Sequence, residues 1–129
     1  MNSREKVIAS INHTMPDKIP VDLGSTPSSG ISAIAYDNLK KYMGMDHPTL
    51  IYDVVQQLAQ PHDDILDKFG VDVVDLGRVF NSSPEDWYQI TMSNGKEAFY
   101  PEWFRPELDL EGSWIGKDKD GKRSRRVNK

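Results

Sequence analysis

Asp22 lies in the stretch Lys18-Ile-Pro-Val-Asp-Leu-Gly-Ser-Thr-Pro-Ser-Ser-Gly30, where alternating apolar residues run into a loop rich in glycine and hydroxyl side chains. A carboxylate at the carboxyl end of a strand can orient a polar group of a substrate or take part in proton transfer. The hydroxyls of Ser25 and Thr26 would line the same pocket. In α/β proteins ligands bind at that edge of the sheet, because its loops lead from strands to helix N-termini. A plainer role is equally open. Asp22 would then cap the next helix or accept loop N–H groups, and the two hydroxyls would bond their own backbone. Further along, Arg78 could bind an anionic group of a substrate or pair with Asp75.

These residues need strands and helices to hold them. Asn2 and Glu5 have capping-box spacing, and Val7, Ile8 and Ile11 share one face, which predicts a helix from about Ser3 to Asn12. Ile19, Val21 and Leu23 alternate with Pro20 and Asp22, a strand signal that tolerates proline near its start. A second helix is expected over 30–43, capped by Ser28 or Ser29 and ended by Gly44. Leu50-Ile-Tyr52 reads as a brief strand, followed by a helical stretch through Val54, Val55 and Leu58 that breaks at Pro61. Asp63 and Asp64 suit the first turn of a short helix closed by Gly70, and 71–76 reads as a buried strand. This order of elements opens a parallel α/β fold. After Pro84 the pattern turns to hairpins: Asn94-Gly95 is a strong turn signal between 88–92 and 97–100. A second hairpin begins at Ser113, with a basic return strand that has almost nothing to bury.

Other chemistries lack their residues. There are no cysteines, hence no disulfide framework, thiolate zinc site or cysteine nucleophile. His13, His47 and His62 fall far apart near predicted helix ends and read as surface or capping residues, not metal ligands. Gly24-Ser-Thr-Pro lacks the spacing of a nucleotide-binding glycine loop, and no Ser/His/Asp order emerges. Trp87, Tyr88, Trp103, Phe104 and Trp114 read as the hairpins' own small core, not as a stacking platform.

A chain of 129 residues, 37% hydrophobic with mean hydropathy −0.62, suits one domain on the polar side. The net charge is −4, yet residues 122–129 hold five of the 16 basic residues and no acid. The remainder sets 11 basic against 20 acidic residues, a charge of −9. So acidic a body argues against nucleic acid as a partner, and the tail reads as a solvated chain end. No apolar run approaches a membrane span and no signal peptide precedes the first helix, so the expected location is cytoplasmic.

Several motifs in order carry a family likeness. Arg4-Glu5-Lys6-Val7, Asn12-His13, Pro16-Asp17 and Ile19-Pro20-Val21-Asp22 resemble the start of uroporphyrinogen decarboxylase superfamily proteins, closest to the branch grouped with corrinoid-dependent methyltransferases. Gly30-Ile-Ser-Ala-Ile-Ala-Tyr36, Tyr52-Asp-Val-Val-Gln-Gln-Leu-Ala59, Phe69-Gly-Val-Asp-Val-Val74 and Trp103-Phe104-Arg105-Pro106 continue it across residues 3–121. The resemblance implies a (β/α)8 barrel, the TIM barrel, which needs roughly 250 residues. The expected fold class is therefore α/β: the incomplete N-terminal portion of such a barrel over 1–83, an inserted β-hairpin region over 84–121, and a basic off-pattern tail over 122–129.

Within that family, decarboxylases carry an early P-V-W-x-M-R-Q-A-G-R segment whose two arginines hold substrate carboxylates. Pro20 and Val21 match it, but Asp22 stands at the tryptophan, and Ser25 and Ser29 stand at the arginines. Uroporphyrinogen decarboxylation is thus not expected. The resemblance puts Asp75 in the place of the decarboxylases' catalytic aspartate, across a gap in the alignment. It also implies a zinc ion in a full-length parent, bound by a histidine and a cysteine pair in the later part of the barrel, which would activate a thiol toward a corrinoid-bound methyl group. No cofactor is expected in this chain. The expected partners of the parent are a small-molecule substrate or a corrinoid protein, with no nucleic acid and no membrane, and homodimer formation is open. Two functions follow as expectations: the N-terminal part of such an enzyme, not catalytic alone, or a small standalone binding module that pairs through exposed strands.

Overall fold

The computed structural model describes residues 1–76, 83–117 and 120–126. Asn2 sets the first element: its Oδ1 accepts the Glu5 N–H at 2.9 Å, and Glu5 Oε2 accepts the Asn2 N–H at 2.8 Å. This reciprocal cap starts α1 (Ser3–Ile11), which buries none of its residues completely.

The segment after it is extended but is not a strand. Pro20 has no N–H to donate, and the Val21 N–H is bound to the Asp72 carboxylate at 3.0 Å instead of to a neighbouring strand. One parallel β-bridge remains, Asp22 opposite Val73, with Asp72 N–H donating to Val21 C=O at 2.8 Å. The two strands expected over 19–23 and 71–76 are therefore reduced to a single contact point.

The second helix also starts later than its spacing suggests. Pro27–Ser29 make a short 3₁₀ turn, and Ile31–Ser32 form β1, so α2 spans Ala33–Met43. Ser32, not Ser28 or Ser29, caps it, accepting the Ala35 N–H at 3.3 Å, and Gly44 ends it at φ 68°. The helix expected near residue 54 is absent. Asp53 Oδ1 accepts the N–H groups of Val55 and Gln56 at 3.0 and 2.8 Å, and this side-chain turn folds the chain into a hairpin. Its strands are β2 (Ile51–Asp53) and β3 (Leu58–Ala59), and Gln57 takes φ 58° at the corner. β1, β3 and β2 make a small antiparallel sheet. Next, α3 covers Asp63–Phe69 and stops at Gly70, φ 60°.

Past the undescribed residues, β4 (Trp87–Thr91) and β5 (Glu97–Pro101) pair antiparallel through the Asn94-Gly95 turn. A three-stranded antiparallel sheet follows, of β6 (Glu107–Leu108), β7 (Trp114–Lys117) and β8 (Arg123–Arg126). The basic segment is thus paired backbone over 123–126, the return strand of the hairpin begun at Ser113 and not a free chain end.

One core joins these pieces. Ala33, Tyr36, Ile51, Ala59 and Ile65 cluster with Met92 and Ala98 from the β4–β5 hairpin, so the packing crosses residue 84. The Phe99 N–H donates to Thr49 C=O at 2.9 Å, and Leu50 bridges Phe99, tying that hairpin to the front of the chain. The described residues are mixed α/β with small antiparallel sheets and three α-helices, and they close no barrel. No helix among them is long and apolar enough to cross a membrane.

Candidate functional site

The loop that follows the Asp22–Val73 bridge is built around its own carboxylate. Asp22 Oδ2 accepts the Ser25 hydroxyl at 2.6 Å and Oδ1 accepts the Ser25 N–H at 3.1 Å. Partial burial pushes the Asp22 carboxyl up, but the two hydrogen bonds from Ser25 outweigh it and hold the group below the ordinary value. The side chain is therefore an ionised acceptor, not a proton donor. Ser25 is buried, whereas Thr26 is exposed and faces the Ser29 hydroxyl at 3.5 Å. Gly24 lies against Pro61 so closely that a Cβ there would stand 2.9 Å from its Cγ. Asp22 and Ser25 are brought together, then, in the arrangement by which aspartate closes a turn. The structure places Asp75 half-buried, two residues beyond the bridge partner of Asp22. Arg78 lies outside the described residues.

Asp72, not a candidate from its sequence context, is the stronger electrostatic feature. Its carboxylate pairs with Lys6 of α1 while accepting the Val21 N–H, which straps the helix over the extended segments. The Lys6 ammonium first, then Ser3 and Val21, lower its pKa to about 2 from 3.8. A depressed carboxyl contributes stability at pH above its unfolded value, and that contribution is lost as pH falls through the folded value. Wild-type protein should therefore lose stability between about pH 4 and pH 2, and Asp72→Asn should flatten that part of the profile. Denaturant unfolding across this range checks it; parallel wild-type and variant profiles contradict it.

A second cluster gathers residues that the chain keeps apart. Tyr36 of α2 is fully buried, and its hydroxyl contacts both the N–H and the ring Nδ1 of His62, at 3.0 and 2.7 Å. The His62 ring stacks on His47, centroids 4.4 Å apart and planes 12° apart. His47 Nε2 meets Asp64 Oδ2 at 2.5 Å. Lys40, 3% exposed, donates to the Thr49 hydroxyl at 2.8 Å and to the His47 carbonyl. Burial is the first cause that pushes the Lys40 pKa down and the Tyr36 pKa up. His47 and His62, far apart in the chain and expected to be surface or capping residues, meet here. His62 precedes α3 without a side-chain cap bond, and the packing of α2 against the 47–49 segment brings the rings together. Only the aspartates after His62 hinted at a polar helix start.

The chain has no cysteine, and no three of its described histidine, aspartate and glutamate side chains converge as a metal site. Comparison with protein-family models, curated proteins and solved structures finds no match to this chain.

Proposed function

We propose that the chain is the N-terminal part of a uroporphyrinogen decarboxylase-like barrel of the methyltransferase-related branch and is not catalytic alone. The parent would act on a methyl-corrinoid protein or a tetrapyrrole, with the Asp22 loop at the rim of its pocket. The observation that carries this reading is the parallel Asp22–Val73 bridge, flanked by apolar residues that nothing described covers. Ile11, Ile19, Val74 and Leu76 are 70, 84, 60 and 94% exposed. Burying four such side chains is worth on the order of 6–12 kcal/mol, as much as holds a domain together. Arg4, Val7, Ile8, Asp72, Val73, Val74 and Leu76 line an open groove on this side. Further parallel strands and their helices would cover it.

The purified chain should bind a hydrophobic dye and self-associate, and coding sequence read past Lys129 in all frames should continue the barrel pattern with a histidine and a cysteine pair. A dye-silent, sharply melting monomer followed by a clean stop would favour the standalone module instead. The intact parent should not convert uroporphyrinogen to coproporphyrinogen. Ser25 and Ser29 offer neutral hydroxyls where arginines would be needed, and the Asp22 carboxylate would repel the substrate's acids. Measured turnover overturns that expectation.

A further inference from the structure

The Tyr36, His47 and His62 cluster lies at the joint between α2 and α3, where one hydroxyl meets both the N–H and the ring Nδ1 of His62. The Tyr36 oxygen accepts the backbone N–H of His62, so its single proton is directed to His62 Nδ1. The neutral tautomer with its proton on Nε2 is the one that matches this arrangement. In that form Nδ1 is the acceptor that ties the start of α3 to α2.

Charged groups from three parts of the chain act on this ring. α2 contributes Lys40, the following segment the stacked His47, and α3 Asp63 and Asp64, while Asp37 and Asp46 act on Lys40. His47 and Lys40 oppose a proton on His62, and Asp63 and Asp64 favour one.

We propose that the stacked His47–His62 pair is an acid-operated latch: one proton taken from solvent by His62 turns Nδ1 from acceptor to donor, sets two donors against the Tyr36 hydroxyl in place of one donor and one acceptor, and loosens α3 from α2. Burial and then the neighbouring His47 and Lys40 hold the His62 pKa below its ordinary value of 6.5. A base depressed in the closed state favours closure at high pH. Its effect is absent well above 6.5, and the latch weakens as pH falls through that value. The opening constant should rise by up to about tenfold per pH unit until the closed-state pKa is passed.

The test is NMR on the full chain from pH 8 to 4, reading the imidazole nitrogens of His62 and the exchange protection of the α3 amides. The expected result is an Nε2–H tautomer at pH 8, titration below 6.5, and loss of α3 protection over the same range. His62→Gln should remove most of that pH dependence. An Nδ1–H tautomer, titration at 6.5 or above, or α3 protection that does not change with His62 ionisation would each overturn the proposal. The wild-type titration decides the matter even if the variant does not fold.

Discussion

Tyr36→Ala should unfold most of the chain's cooperative structure, at a cost of about 3–5 kcal/mol. Tyr36 is 0% exposed and shares a core with Ala33, Ile51, Ala59, Ile65, Met92 and Ala98. Three of those partners are alanines, which cannot move to fill the space of a lost ring. The ring loss and the hydroxyl loss are separable. Tyr36→Phe keeps the packing but leaves the His62 N–H and Nδ1 without the phenol, at about 1–3 kcal/mol. Urea unfolding at pH 7.5, where His62 is neutral, measures both. A Tyr36→Ala cost under about 1 kcal/mol would mean that this is not the core.

Ile65→Ala is the second large effect, expected at about 2–5 kcal/mol. Ile65 is fully buried and is the one buried residue of α3. A helix of 7 residues has too few internal hydrogen bonds to persist by itself, so its docking rests on that side chain and on the latch at its start. Hydrogen exchange over 63–69 should therefore collapse toward unprotected rates in Ile65→Ala, while the β4–β5 hairpin keeps more of its protection. Ile65→Val, which removes one methyl group, should cost about 0.5–1.5 kcal/mol. Because Tyr36 and Ile65 share one cluster, the double variant should cost less than the sum. Additive costs would place them in separate cores.

Local signals were legible where the residues that form an element also complete its hydrogen bonds. The Asn2–Glu5 cap, the aspartates and Gly70 around α3, and the Asn94-Gly95 turn each settle their geometry within a few residues. The Asp22 loop was legible in part: an aspartate and a hydroxyl three residues on do meet, in the local turn that was one of two open readings. Alternation over 19–23 and the apolar run over 71–76 were read as strands because pattern reports which side chains seek burial. Pattern does not say whether a partner edge lies alongside.

By itself, then, the sequence determined the Asn2–Glu5 cap, the glycine stops, the β4–β5 hairpin and the lack of cysteine. Tertiary structure alone decided that Ser32 and not Ser29 starts α2, that Asp72 reaches Lys6 and Val21, and that His47 and His62 stack on each other beneath Tyr36. The reason is range. A cap or a turn closes over three or four bonds' worth of backbone, whereas the ionisation of a histidine or an aspartate depends on which distant groups the fold sets within a few ångströms of it.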